Sequence, residues 1–166
     1  MFKTILLLLP VFVSAWFTTA QTSIQPAELK PLNGLWKGDL IYRDYSSDER
    51  VSLPLVGNAY FKGEDLHLEF IINEGKVYRQ HYAYQVKDGS IVFEGPWTTE
   101  AKAGTISGGD FRLVLTKRGR DGNQRKPCTF RLTFSGGAQA LTISKEVKFD
   151  SEAEYFLRNE YQLVRP

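Results

Sequence analysis

Five glycine-bearing turns cut the chain into short alternating segments and leave no room between them for a crossover helix. Asn73-Glu74-Gly75, Asp88-Gly89, Ser107-Gly108-Gly109-Asp110, Asp121-Gly122-Asn123 and Gly136-Gly137 supply residues that accept positive φ, the requirement of tight hairpin connections. Strands joined by links this short pair antiparallel, because a parallel pair needs a dozen or more residues to return. The segments read as strands at 35–45, 50–56, 65–72, 76–86, 90–95, 98–106, 111–117, 127–134, 139–148 and 154–164. No stretch of helical length after residue 20 carries a 3.6-residue apolar period. An open sheet of this size would expose two edges, and closing it removes them. The expected fold is therefore all-β, an antiparallel up-and-down barrel of about eight to ten strands. The rival is a two-sheet sandwich, whose Greek-key connections need longer links than this meander provides.

The N-terminus reads separately. Lys3 precedes an apolar run from Ile5 to Phe17, interrupted by Pro10 and Ser14, and Thr18-Thr19-Ala20 places small residues where a signal peptidase cuts. Residues 1–20 are expected to be a signal peptide cleaved before Gln21, because a membrane anchor wants about 20 predominantly apolar residues without a proline. Residues 21–32, with Pro26 and Pro31, read as a polar leader, and 33–166 as the barrel domain. Setting aside 20 of the 166 residues leaves 146, enough for one core. Lys3 is the one charged residue removed, so 20 Lys and Arg face 19 Asp and Glu. That balance argues against general capture of nucleic acid or anionic membrane. The expectation is an exported monomer, periplasmic or secreted, with no integral membrane segment after cleavage. Cys128 is the only cysteine and shares a strand face with Phe130, Leu132 and Phe134, so it reads as a small buried hydrophobe. No Asn-x-Ser/Thr sequon occurs, which favours a bacterial source.

Alternation proposes the inward faces. Tyr78, Gln80, Tyr82, Tyr84 and Val86 share one face of their strand, while Val77, Arg79, His81, Ala83 and Gln85 share the other. Ile91 pairs with Phe93 by the same count, Phe111 with Leu113 and Leu115, and Leu141 with Ile143, Lys145, Val147 and Phe149.

Gly34-Leu35-Trp36 at the start of the first strand resembles the Gly-x-Trp signature of the lipocalin-like (calycin) barrels. The resemblance implies that Trp36 closes the barrel floor and that an arginine of the last strand lies across its ring, a contact of roughly 0.5–2 kcal/mol. The final segment, "YFLRNEYQLVR", offers Arg158 or Arg165. The chain lacks the intervening cysteines, the Thr-Asp-Tyr-type loop and the post-barrel helix of many secreted lipocalins. The likeness is to a small bacterial exported member, with Gly34, Trp36 and Arg158 as floor residues.

Gly38, Leu40, Tyr42 and Asp44 follow Trp36 on its own face. With Tyr78, Tyr82, Tyr84, Phe93 and Lys145 also inward, Tyr42, Asp44 and these five would line a pocket for a small apolar or amphipathic ligand. Alternatively, the rings pack on one another and fill the barrel. Lys145 is a charge on an apolar face. It sits at the barrel mouth, pairs with a carboxylate such as Asp44, or anchors an anionic head group, a role open to Arg158 as well. The segment 117–126, "KRGRDGNQRK", reads as a solvated basic hairpin, and a filled barrel displaying it to a protein or envelope polymer is the alternative function. His67 and His81 alternate onto polar faces without metal-ligand spacing, so surface or hydrogen-bonding roles are expected and no metal or cofactor is assigned. No Gly-x-Ser-x-Gly elbow, His-Glu-x-x-His motif or phosphate-cradling loop occurs, so a non-catalytic protein is expected.

Overall fold

The computed structural model describes residues 23–44, 47 and 49–166. The signal-peptide expectation for 1–20 lies outside the described residues. Ten strands run β1 (Gly34–Arg43), β2 (Arg50–Lys62), β3 (Asp65–Asn73), β4 (Val77–Lys87), β5 (Ser90–Val92), β6 (Thr98–Ala103), β7 (Phe111–Asp121), β8 (Lys126–Gly136), β9 (Ala140–Phe149) and β10 (Phe156–Val164). They form one antiparallel sheet in the order β5-β4-β3-β2-β1-β10-β9-β8-β7-β6. The sheet curls into a nearly closed barrel. Its two ends meet where Val92 bridges Pro96 and the Trp97 amide donates to the Ile91 carbonyl at 3.0 Å.

Closure is confined to one half of the wall. β4 has eleven residues, yet β5 pairs only with Gln85, Val86 and Lys87. On the other side β6 pairs with β7 only from Arg112 to Thr116. No strand among the described residues covers the wall between Val77–Tyr84 of β4 and Lys117–Asp121 of β7. The Phe93–Pro96 link lies at the lower limit of this gap.

The expected alternation is present. Leu66, Leu68, Phe70 and Ile72 of β3 are buried, as are Cys128, Phe130, Leu132 and Phe134 of β8. Two bulges reset the phase. One, between Thr99 and Ala101 of β6, lets Lys102 become buried, and the other, between Leu157 and Asn159 of β10, makes Arg158 the extra residue in its ladder.

At the floor, Trp36 is 3% exposed and its Nε1–H donates to the Leu32 carbonyl at 2.9 Å. The arginine across its ring is Arg165, whose guanidinium carbon lies 4.0 Å from the ring centroid. Arg165 also donates to the carbonyls of Pro31, Ala138 and Leu35 at 2.8, 2.9 and 3.1 Å. Assigning Arg158 to the floor is thereby corrected: its Nε lies 3.4 Å from Asp121 Oδ2, near the other end of the barrel. Alternation explains the choice, because Arg165 is in phase with the buried Tyr161 and Leu163 whereas Arg158 precedes the bulge. Gly34 has φ +116°, and a Cβ there would lie 2.9 Å from Arg165 Nη1, so the first residue of the triplet makes room for the last strand's arginine.

The described part of the leader packs on the barrel. Helix α1 (Pro26–Leu29) and the 3-10 turn Lys30–Leu32 bury Ile24, Leu29 and Leu32 against the core. Pro26 begins the helix where a missing N–H costs nothing, and Glu28 Oε2 accepts from the Gln25 amide at 2.8 Å. Lys102 clamps this segment from the barrel side, donating to the Ser23 carbonyl at 2.9 Å and to Glu28 Oε2 at 2.7 Å.

Candidate functional site

Above the floor the inward faces leave a partly open pocket. A cavity of about 220 Å³ is walled by Tyr82 and Tyr84 of β4, Phe93 and Trp97 flanking the β5–β6 link, Leu132, Ile143 and Lys145 of β8 and β9, and Asn159 and Tyr161 of β10. Glu94 completes its lining.

The aromatic side of this wall is built ring on ring. Phe93 meets Tyr84 at 4.9 Å between centroids and Tyr82 edge-on at 5.5 Å, and Tyr84 meets Phe134 edge-on at 5.6 Å. Offset and edge-to-face pairs of this kind contribute about 0.5–1.5 kcal/mol each beyond burial, so they fix the wall's shape. Behind it, the hydroxyls of Tyr82 and Tyr161 lie 2.8 Å apart, and Tyr161 donates to Gln80 Oε1 at 2.6 Å. Burial pushes the phenols of Tyr84, Tyr161 and Tyr82 above the usual tyrosine range.

The opposite side carries charge. Lys145 Nζ lies 4.6 Å from the Phe130 ring centroid. Lys117 is out of the solvent-facing set: its Nζ donates to the Glu94 carbonyl at 2.7 Å and sits 5.0 Å from the Trp97 ring centroid. Burial lowers the Lys117 ammonium below the ordinary lysine range; Glu94 opposes the shift and Lys145 adds to it. Trp97 is held in turn by donation from its Nε1–H to the Phe93 carbonyl at 2.9 Å.

Of the residues expected to line a pocket, Tyr82, Tyr84, Phe93 and Lys145 come together. The other three do not, and their assignment is corrected. Tyr42 donates to Glu74 Oε1 at 2.8 Å at the barrel's open end. Asp44 lies in the β1–β2 connection, where its Oδ1 accepts from the Ser47 amide at 3.4 Å. Tyr78, at the far end of β4, is 47% exposed. All three share the inward phase, but they stand where the strands have risen past the cavity. Trp97, Tyr161 and Glu94 are cavity-lining groups that sequence reasoning missed, and Lys117 stands behind that lining, on the Glu94 carbonyl and the Trp97 ring. For Lys117 a signal existed, since it continues the phase of Phe111, Leu113 and Leu115, all buried. Tyr161 likewise shares a phase with Leu163.

The basic hairpin is less cationic than its sequence suggests. The β7–β8 ladder continues to Asp121 and Lys126, so most of segment 117–126 is strand. Lys117 turns inward, and Arg118 forms a two-pronged pair with Asp150 at 2.8 and 2.6 Å. His67 and His81 lie on the outer face with Nδ1 and Nε2 2.9 Å apart, the hydrogen-bonding role expected of them. Among the described residues, no group of three His, Cys, Asp or Glu side chains converges as a metal site would require. No helix among them is long and apolar enough to cross a membrane. A larger groove of about 480 Å³ runs over the outer face of β1–β4, beside the exposed Leu35, Val56 and Ile71.

Neither a protein-family model nor a curated protein sequence matches the chain.

Proposed function

We propose that this barrel binds one small apolar or amphipathic molecule non-covalently between its floor and its open side, without chemistry of its own. The observation that carries the reading is the 220 Å³ cavity walled by interlocked aromatic rings. An apolar cavity of about 150 Å³ accommodates benzene, so this one suits a one- or two-ring molecule. It is smaller than the roughly 300–1,000 Å³ of pockets that take drug-sized ligands, so a long alkyl chain would not fit wholly inside. The cavity groups offer positioning and burial but no nucleophile with an adjacent base.

Trp97 on the wall supplies the test. Native mass spectrometry of the purified protein should show a bound small molecule, or titration of the stripped protein with 2-naphthamide should change Trp emission saturably. Ile143→Trp, which fills the cavity, should abolish that change. An unliganded protein whose emission responds to no one- or two-ring compound refutes the reading.

The floor supports placing the chain with the lipocalin-like barrels: Gly34, Trp36 and a terminal-strand arginine stand together as that family's pattern implies. Export to the periplasm or medium rests on Lys3 and the apolar run after it. N-terminal sequencing of the exported protein, expected to begin at Gln21, tests that. The rival role, a filled barrel presenting 117–126 to a partner, has fewer cations to work with once Lys117 and Arg118 are committed.

A further inference from the structure

Resting on the cavity reading above, we propose that the ligand is a compact aromatic monoanion, a carboxylate by chemistry, whose charged end meets Lys145 and Lys117 and which enters sideways through the gap between β4 and β7.

The charge argument begins with unmet hydrogen-bonding capacity. Among the described residues Lys145 Nζ makes no hydrogen bond or ion pair, and its one close partner is the face of Phe130. Lys145 is half-buried, so its ammonium keeps free N–H donors at the cavity wall that an anion could take up. Lys117 pairs with Phe130 across the β7–β8 ladder, and Lys145 pairs with Leu132 across β8–β9, so the two lysines stand on the strands either side of β8 at nearly the same height. The Glu94 carbonyl occupies one of the three N–H donors of Lys117.

Other groups do not complete this pair of charges. Asp121 is engaged by Arg158. Glu94 is the one carboxylate in the cavity lining, and it forms no ion pair with either lysine. Lys145 and Glu94 of the lining together with Lys117 at its border carry a formal charge of +1, which matches a monoanion better than a phosphate dianion. The phenols do not compete for the anion, because Tyr82 and Tyr161 direct their hydroxyls to each other and to Gln80. Aromatic rings then grip the ligand's body and lysines its head.

The route follows from strand lengths. β5 ends at Val92 and β6 begins at Thr98, while β4 and β7 rise past them on either side. Lys117 is the first residue of β7 beyond the β6 ladder, which puts it on the border of the gap. A ligand with its carboxylate at that border has its rings directed toward Tyr84 and Phe93.

The test is calorimetric titration of the mature chain at neutral pH with 2-naphthoate and its neutral twin 2-naphthamide. Naphthoate should bind at least about tenfold more tightly, the effect of one hydrogen bond to a charged group. Lys145→Met should erase that preference while leaving naphthamide affinity within about twofold, and Lys145→Arg should retain it. Lys117→Met should reduce it. Equal affinity for the two ligands in the unaltered protein overturns the anion assignment and leaves the cavity reading standing, as does a preference that survives loss of both lysines. Failure of both ligands to bind overturns the two readings together.

Discussion

Replacing Arg165 by Ala removes the ring contact with Trp36 and three hydrogen bonds that tie the end of β10 to Pro31, Leu35 and Ala138. Hydrogen bonds to charged groups contribute about 1.5–3 kcal/mol each when well shielded. The Arg165 guanidinium is partly solvated, so about 1 kcal/mol per bond is the appropriate scale. The cation–π contact adds about 1 kcal/mol, giving a loss of about 4 kcal/mol in total. At about 2–4 °C per kcal/mol for a domain of this size, Tm should fall by roughly 8–16 °C. Urea unfolding followed by Trp fluorescence and circular dichroism measures it, with an unchanged m-value as the check that the unfolded state is unaltered. Arg165→Lys should recover no more than about 1–2 kcal/mol, because an ammonium cannot span three carbonyls and stack on the ring. Arg158→Ala, which removes the partly exposed pair with Asp121, should cost less than Arg165→Ala. If Arg165→Lys is as stable as the unaltered chain, or Arg158→Ala is the more damaging change, the floor is not held as described.

The clamp at the base predicts an acid limb in the stability profile. Burial pushes the Glu28 carboxyl up, but hydrogen bonds from Lys102 and the Gln25 amide outweigh it and hold the group below its ordinary value. A depressed carboxylate stabilises the fold above its unfolded pKa of about 4.3 and loses that contribution as pH falls below it; Glu28→Gln should flatten this part of a pH series of urea melts. Lys102→Met should cost about 2–3 kcal/mol, somewhat under the roughly 3–5 for a fully buried pair because Glu28 can rehydrate, whereas Lys145→Met should leave thermal stability unchanged or raise it. Equal losses in the two variants would contradict the distinction between them. The buried phenols make the converse prediction for base. Folded pKa values raised in Tyr84 and Tyr161 contribute stability that is present below about pH 10 and lost as pH rises beyond it. Absorbance at 295 nm should therefore show a tyrosine fraction that ionises only as the barrel unfolds; a single smooth titration of every tyrosine in folded protein refutes it.

The barrel was legible because turn chemistry and a period of two are local properties. All ten strands lie where those signals put them, and the aromatic face of β4 points inward as alternation requires. Two of the misreadings share a cause, which is that height along a barrel is not a local property. Tyr42 and Tyr78 have the right phase, but strand tilt and register carry them past the cavity. Bulges account for others: no pattern in "TTEAKA" announces that Lys102 is buried, because an extra residue in the β6 ladder moves it there. Lys117 was hidden differently. Its neighbours in "KRGRDGNQRK" read as a loop, whereas continuing the β7 alternation by one step places it inside.

Two lysines on inward faces, one buried and one half-buried, differ in what the chain supplies around them. Lys102, with a side chain 4% exposed, is surrounded by acceptors from the chain itself, the Ser23 carbonyl and both oxygens of Glu28. Its charge is settled by folding, and it fastens α1 beneath the core. Lys145 also faces inward from a strand, yet no carboxylate or carbonyl among the described residues reaches it. Folding alone would favour an apolar residue at that position, since Leu141, Ile143 and Val147 on the same face are all buried. In the anion-binding proposal, this half-buried ammonium meets its partner from outside the chain. The floor, by contrast, has Trp36, Arg165 and Lys102 satisfied without any ligand. In the binding reading proposed above, the barrel separates stability from recognition along its axis, with the closed half of the wall serving one and the gap between β4 and β7 the other.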